Sequence, residues 1–543
     1  MTMAVADTGR AIVEAIEKSG SRYVFAVPGE SLLGVLDAFN DSGVEVIPFR
    51  IEQGAGFAAL AYARITGRPG FIAVSRGPGL SNASIAVHCA WQDSLPLVVL
   101  TGQVPSKRMG RDAFQEVDVP ALGRLLGKGG VSIARPEDAA LVIKEAIELA
   151  TSGKPGPVVV EIPEDVANSV PGTFARSSRP LVRNIADQPG NAVEVVAVAE
   201  VLKAANRIAY IVGYGALDAT AEIESLLSRC PGPVYTEWRA PDAFPNRHPY
   251  YAGTLPWLPD ELLGDLRNAD LVVALGSLLD DQTSLRYTLP GDGQRLLIID
   301  PRSDGHGPAT VVRAPVGETL RVVNAGLEPV TEGPGEEMAR TAHSRFQSSR
   351  VAPPRRENAR GVPVAEAILA LSETMPEDAI ITCDAGAFAA FLHRYYVFPA
   401  AGTFVGTKAG AMGVALPAAI GSRLAAPHRH VVAVAGDGGF AMTMSELLTA
   451  RLLDLVGITV LLLDNSCYGS IAKAQLAFGG PDRLVGVRLA DADFATIARG
   501  MGAEGVTVSD ADSLRDALRQ SLDLDRVTVI HVRADPDDLS PGD

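Results

Sequence analysis

Apolar residues along this chain alternate between two spacings: a helical period of three to four residues, and short runs with no polar break. The stretches "GRAIVEAIEKSGSRYVFAVPGE" (9–30), "AVEVVAVAEVLKAANRIAYIVGYGA" (192–216) and "VPVAEAILALSETMPEDAIITCDAGA" (362–387) each predict a helix, a strand and a glycine loop. The runs "FIAVS", "LPLVVL", "LVVALG", "LLIID", "VVAVA" and "ITVLLL" lack the alternation of a half-exposed sheet, so they read as parallel strands covered on both faces. Repeated βαβα order predicts an α/β chain of three doubly wound parallel-sheet domains, with ligands beyond the carboxyl ends of the strands. The first and third segments also close alike, at "RPEDAALVIKEAIELATSGKPGPVVVEIP" (135–163) and "ADSLRDALRQSLDLDRVTVIHVRAD" (511–535). Pro136 suits the opening turn of the former helix and Gly153 its stop. Polar stretches at 171–191 and 331–361 read as linkers, which places the domains at 1–170, 186–330 and 360–537.

The run "VVAVA" ends in Gly436, Asp437, Gly438 and Gly439, and Thr443 to Glu446 has the spacing of a capping box opening the helix "MSELLTARLLD". Glycines at such a turn let an anion approach backbone N–H groups, but Asp437 would repel a bare phosphate. A cation between them resolves the conflict, since Mg²⁺ takes one or two carboxylates together with phosphate oxygens. The run "ITVLLL" ends in Asp464 and Asn465, about 28 residues beyond Asp437, so neighbouring parallel strands would bring both sets to one edge. Asn465 offers an amide oxygen and Cys467 a carbonyl, completing a metal-bridged diphosphate site. Either fragment by itself reads as a turn or helix cap; the spacing favours the ligand site.

These residues resemble the signature of the thiamine diphosphate enzymes, GDG followed by NN, with Asp464 in place of the first asparagine. Further stretches, "FAVPGESLLGVLDAF", "RIEQGAGFAALAYARITGRPG", "VSRGPGLSNASIAVHCAWQDSLPLVVLTGQV", "DAFQEVD", "GKPGPVVVEIPEDV" and "GAMGVALPAAIGS", look like the acetolactate-synthase-like branch over nearly the whole chain. The resemblance implies pyrimidine-binding, central and diphosphate-binding domains, and an active site between the first domain of one subunit and the third of its partner. A homodimer is then the minimum unit, and a homotetramer is possible. The cofactors implied are thiamine diphosphate and Mg²⁺, with Asp437, Asn465 and Cys467 as metal ligands.

By the same resemblance Glu52 is the glutamate that activates the aminopyrimidine ring of the cofactor, and Met412 the bulky residue that holds the cofactor bent. Gly29, Pro78 and Asn82 match loops at the pyrimidine end. Gly386, Gly410, Gly436, Gly438, Gly439, Tyr468 and Gly469 match the diphosphate end. Phe114 and Gln115 stand where acetolactate synthases place residues near the cofactor. The implied reaction is decarboxylation of a 2-oxo acid, and three features lean towards carboligation: "TGQVPSKR" lacks the histidine pair of simple decarboxylases, Ile471 stands where they carry a glutamate, and "DAFQE" is present. A non-oxidative decarboxylase and a 2-hydroxyacyl-CoA lyase are the alternatives of the same cofactor class. Acetolactate synthases bind FAD on the middle domain; here "VGYGALD" leaves that site open, while "YYAGTLPWLPD" replaces their Met-His-Gly loop and counts against FAD. Arg76 could clamp a substrate carboxylate or join a surface ion pair, and Lys408 could touch substrate or solvent. His88 reads as an ordinary helix histidine. A non-catalytic cofactor-binding protein would lack Glu52, and a nicotinamide dehydrogenase would need a full GxGxxG with a following acid.

Composition changes this picture little. With 543 residues and 47% hydrophobic content the chain can build large cores, and a formal charge of -16 argues against nucleic acid or anionic membrane as partner. Its four cysteines have no metal-like spacing and read as reduced thiols, and neither a leader nor a bilayer-spanning stretch is expected, so the expected location is the cytoplasm.

Overall fold

The computed structural model describes residues 7–169, 192–303, 309–330, 333–355, 357 and 359–541. Among them the strands form three six-stranded sheets. The first comprises β1 (Tyr23–Ala26), β2 (Glu45–Pro48), β3 (Gly70–Ser75), β4 (Leu97–Gln103), β5 (Gly129–Ser132) and β6 (Pro157–Pro163). The second comprises β7 (Ile208–Val212), β8 (Val234–Thr236), β9 (Tyr251–Thr254), β10 (Leu271–Leu275), β11 (Arg295–Ile299) and β12 (Thr310–Val312). The third comprises β13 (Ile380–Cys383), β14 (Phe404–Gly406), β15 (Val431–Gly436), β16 (Ile458–Asp464), β17 (Glu504–Val508) and β18 (Thr528–Arg533).

Sheet orders are β2-β1-β3-β4-β6-β5, β12-β11-β10-β7-β8-β9 and β14-β13-β15-β16-β18-β17. The first and third are therefore the same topology, which is why their sequences open and close alike. Central strands such as β4, β10 and β16 are buried at every position, as continuous apolar runs require when helices cover both faces. In each sheet the order reverses beside the first strand of its segment, and in the third the reversal lies between β13 and β15. Ligands of open α/β sheets settle in the crevice such a reversal leaves beyond the carboxyl ends.

The first and third domains share one apolar core. Helix Glu52–Thr66 lies against helix Ala415–Ala425 so closely that a Cβ on Gly421 would stand 2.1 Å from the Ala58 carbonyl oxygen. Fully buried Phe57 and Ile420 sit in this seam, and each such side chain contributes about 1.5–3 kcal/mol over an exposed one. Among the described residues no helix is long and apolar enough to cross a membrane.

Two sequence expectations need correction. Of the stretch read as a linker at 331–361, Pro334–Ser348 is a helix that buries Ala339, Ala342 and Phe346, with Phe346 edge-on to Tyr251 at 5.3 Å between ring centroids. Its charge-rich exposed face hid a narrow apolar stripe. The other linker stretch, 171–191, lies outside the described residues. The capping box is also not formed: a helix starts at Asp437 itself, runs to Thr443, and breaks before Leu447–Leu452. The Thr443 hydroxyl donates to the Gly413 carbonyl at 2.9 Å, and Glu446 serves a distant backbone.

Candidate active site

A cavity of ≈ 370 Å³ opens at the reversal of the third sheet. The register pairs Gly436 with Leu463, so the next residue of each strand, Asp437 and Asp464, emerges on the same edge. Asp437, Asn465 and Cys467 all line the cavity. So do Gly436, Gly438, Gly439 and Gly386, while Gly410 with Met412 forms one wall and Tyr468 with Gly469 another.

Two glycines make the floor a close backbone surface. A Cβ on Gly438 would lie 2.6 Å from the Tyr468 ring, and one on Gly439 would lie 2.2 Å from Asp384 Oδ2. Asp384 is buried, accepts from the Ala415 N–H at 2.8 Å and from Val414, and so fixes the loop that carries Met412. Burial pushes its pKa up to about 6, against lowering by those N–H donors. Gly439→Ala is accordingly expected to displace Asp384 and the Met412 loop, weakening retention of thiamine diphosphate at least tenfold in a titration of cofactor binding.

Asp437 is buried, and burial followed by the neighbouring charge of Asp464 pushes its pKa up to about 7. Among the described residues no cationic side chain pairs with it. Asp464 is already engaged: it accepts from His531 at 2.7 Å, Arg533 at 2.9 Å and the Ser466 N–H at 2.9 Å. Asn465 Oδ1 accepts only weakly from the Cys467 N–H at 3.2 Å. One carboxylate, one amide oxygen and one carbonyl are the hard oxygen donors that Mg²⁺ uses together with phosphate oxygens, so the residues fit a metal-bridged diphosphate.

The other candidates form a second constellation, at the start of helix Glu52–Thr66. Asn82 Nδ2 donates to Glu52 Oε2 at 3.0 Å, and Gly79 lies against Glu52 Oε1, where its Cβ would stand 3.5 Å away. Pro78 is on the same helix turn as Asn82. Gly29 backs onto Ser75, 2.3 Å from where its Cβ would be. The Gln115 carbonyl accepts from the Gly77 N–H at 2.9 Å, and Phe114 is 75% exposed. No residue lining the 370 Å³ cavity comes from the first domain. Within one chain the two constellations are separate half-sites.

Three residues behave differently from their sequence reading, or escaped it. Arg76 is buried rather than on the surface, with φ +51, and pairs with Glu164 at 2.8 Å and Glu30 at 3.4 Å. Lys408 does not line the 370 Å³ cavity and is largely buried; it bridges Glu237 at 3.1 Å and Asp280 at 2.9 Å. Glu446, fully buried, accepts from the Arg50 and Ile51 N–H groups at 3.1 and 3.2 Å, tying the loop before Glu52 to the helix after Asp437. Only a contact spanning 396 residues reveals that role.

The middle domain does not fit FAD. At its carboxyl edge a Cβ on Gly213 would meet Glu237 at 2.6 Å and one on Gly215 would meet Arg302 at 2.7 Å. Arg302 donates to the Gly276 carbonyl at 2.8 Å and pairs with Asp300, while Glu237 accepts from Tyr214 N–H at 2.9 Å and the Ser277 hydroxyl at 2.7 Å. The crevice a dinucleotide needs is filled by this ion network. Purified protein is expected to show no flavin absorbance band in its visible spectrum, before or after incubation with FAD and desalting.

Comparison with known proteins identifies the family. Residues 6–122 match the N-terminal TPP binding domain of the thiamine pyrophosphate enzymes, 195–322 their central domain and 384–532 their C-terminal TPP binding domain. The chain is 31% identical to an acetolactate synthase large subunit of Corynebacterium glutamicum, over 96% of this chain and 86% of the relative. It is 30% identical to the acetolactate synthase isozyme 1 large subunit of Escherichia coli, over 97% and 94%. The fold matches that of a thiamine diphosphate-dependent 4-hydroxybenzoylformate decarboxylase from Rhodococcus jostii with a TM-score of 0.84, at 24% identity, covering 98% of this chain and 100% of that one.

Proposed function

Because this chain belongs to the acetolactate synthase-like thiamine pyrophosphate enzymes, we propose that it decarboxylates a pyruvate-like 2-oxo acid and joins the remaining acyl group to a second carbonyl compound, with Mg²⁺ as second cofactor. Supporting this reading above all is the third-domain cavity, where Asp437, Asn465 and Cys467 converge beside Gly438 and Gly439, with apolar Ile471 on the same wall. Thiamine diphosphate, when bound, supplies the electron sink for decarboxylation. The bond to the carboxylate carbon breaks, CO₂ leaves, and the electron pair forms a bond to the acceptor carbonyl carbon, whose oxygen takes a proton.

The chain's own residues provide position and protons. Asp437, Asn465 and the Cys467 carbonyl would hold the metal. Met412 would press on the cofactor from the loop that Asp384 fixes. Glu52, oriented by Asn82, would hold and exchange a proton at the pyrimidine ring nitrogen. Phe114 and Gln115 would close the acyl side, Gln115 donating to a substrate oxygen. Since no first-domain residue lines the cavity, a second copy completes each site, making a homodimer the minimum assembly and a homotetramer compatible with it.

One observation favours a second outcome, protonation to an aldehyde. The Glu30 side chain, 74% exposed next to Gly29 and steadied by Arg76, places a carboxylate on the pyrimidine half-site that would relay a proton from solvent. Product analysis decides between the two. Pyruvate with thiamine diphosphate and Mg²⁺ is expected to yield CO₂ and acetolactate by NMR. Acetaldehyde as the main product would replace carboligation with simple decarboxylation, and no CO₂ despite bound cofactor would overturn pyruvate-like donors.

A further inference from the structure

A second cavity, of ≈ 590 Å³, adjoins the first and shares Gly386, Ala387 and Ser470 with it. Its outer wall is the "YYAGTLPWLPD" stretch, which contributes Pro256, Trp257, Leu258 and Pro259. The C-terminal residues Leu539 to Pro541 form another side. An acetyl group, the part of pyruvate that is transferred, would leave this annex empty, whereas cavities of 300–1,000 Å³ ordinarily bury a whole ligand.

The deep wall carries Arg394, on helix Phe388–Tyr395. The residue is buried at 8% exposure. One Nη donates to the Ser349 carbonyl at 3.1 Å, but Nε has no hydrogen-bond partner, and no carboxylate lies within 4.0 Å of the guanidinium among the described residues. Arg76 and Arg302, equally buried, each have a carboxylate within 2.8 Å. Trp257 Nε1, in the facing stretch, is likewise buried without an acceptor. Glu261 also lines the annex, but it is exposed and acts on Arg394 only from beyond contact distance, and exposed Lys473 adds a positive charge to the same lining. A buried guanidinium whose nearest carboxylate stands beyond contact distance is costly unless a closer anion pairs with it.

From this we infer that the acyl donor is a 2-oxo acid whose side chain ends in a second carboxylate, its reacting end over the Asp437 cavity and its far end on Arg394. The annex wall of Trp257, Leu258 and Ala390 would cover the methylene chain between them. This rests on the 2-oxo acid reading above and narrows it to dicarboxylic donors.

Glutarate and pentanoate, which lack the oxo group and cannot turn over, separate binding from chemistry. In calorimetric titration of the full chain loaded with Mg²⁺ and thiamine diphosphate, glutarate is expected to bind on the order of tenfold tighter than pentanoate, as one charge-assisted contact provides. Arg394→Gln is expected to bring that ratio to about one, and Arg394→Lys, which keeps a charge with less disturbance of the wall, to retain part of it. Equal binding of the two acids, binding of neither, or a preference that survives Arg394→Gln overturns the inference. CO₂ release from pyruvate by the same preparation keeps the two readings apart: turnover without glutarate preference sinks only the dicarboxylic donor. No CO₂ from any 2-oxo acid, 2-oxoglutarate included, sinks the proposed function and this donor with it.

Discussion

Glu52→Gln is expected to lower the rate of CO₂ release from a 2-oxo acid at least 100-fold while thiamine diphosphate still binds. Glutamine preserves the length and hydrogen-bonding shape of the side chain, and its amide oxygen can still accept from Asn82 Nδ2, which lies 3.0 Å from the native carboxylate. What it cannot do is carry the charge that lets Glu52 take and return a proton. Steady-state CO₂ release, with cofactor binding measured on the same preparation, checks this. A variant that turns over within a few-fold of the native rate would remove Glu52 from proton transfer. A variant that loses cofactor instead would make it a binding residue only.

Asp437→Asn is expected to act in opposite directions on the apo and loaded protein. In the metal-free protein the carboxyl has a pKa of about 7, raised from 3.8 by burial and then by Asp464. Unfolding lets it ionise at the lower value, so the charged carboxylate destabilises the fold increasingly from pH 4 to 7 and by a constant amount above that. A shift of that size corresponds to at most about 4 kcal/mol. Apo Asp437→Asn is therefore expected to melt above the native apo protein at pH 8, with the difference vanishing as pH falls towards 4. Adding Mg²⁺ and thiamine diphosphate reverses the order, because only the native protein gains stability by binding. Melting curves at pH 5 and pH 8, with and without both cofactors, give the four values needed. An Asn variant that is stabilised by the cofactors as strongly as the native protein would take Asp437 out of the metal site.

Much of this was legible because apolar patterning and glycine placement act over short distances. The unbroken runs at β4, β10 and β16 could be read as buried parallel strands, since a strand covered on both faces has no room for alternation. Gly438 and Gly439 announced a close backbone surface that the contacts to Tyr468 and Asp384 explain. The spacing from Asp437 to Asn465 reads as one helix and one strand; the helix is in fact broken into Asp437–Thr443 and Leu447–Leu452 before strand β16. Misreadings arose where a side chain's partner is far away in sequence. Glu446 has the spacing of a capping box, yet its carboxylate is claimed by Arg50 and Ile51. Lys408 stands four residues from Met412, yet its charge is spent on Glu237 and Asp280. The helix Pro334–Ser348 was hidden because it needs only three apolar residues to dock.

By itself, then, the sequence determined the three α/β domains, their recurrent order and the chemistry of the glycine-aspartate loop, all of which follow from hydrophobic period and local backbone freedom. Tertiary structure decided which charges are available for function. Arg76 and Lys408 are neutralised by carboxylates from distant segments and Arg302 by Asp300 two residues away, whereas Arg394 is buried facing a cavity with no carboxylate in contact with it among the described residues. The reason is physical: burial sets the cost of a charge, and only the folded chain determines whether a counter-charge stands close enough to offset it.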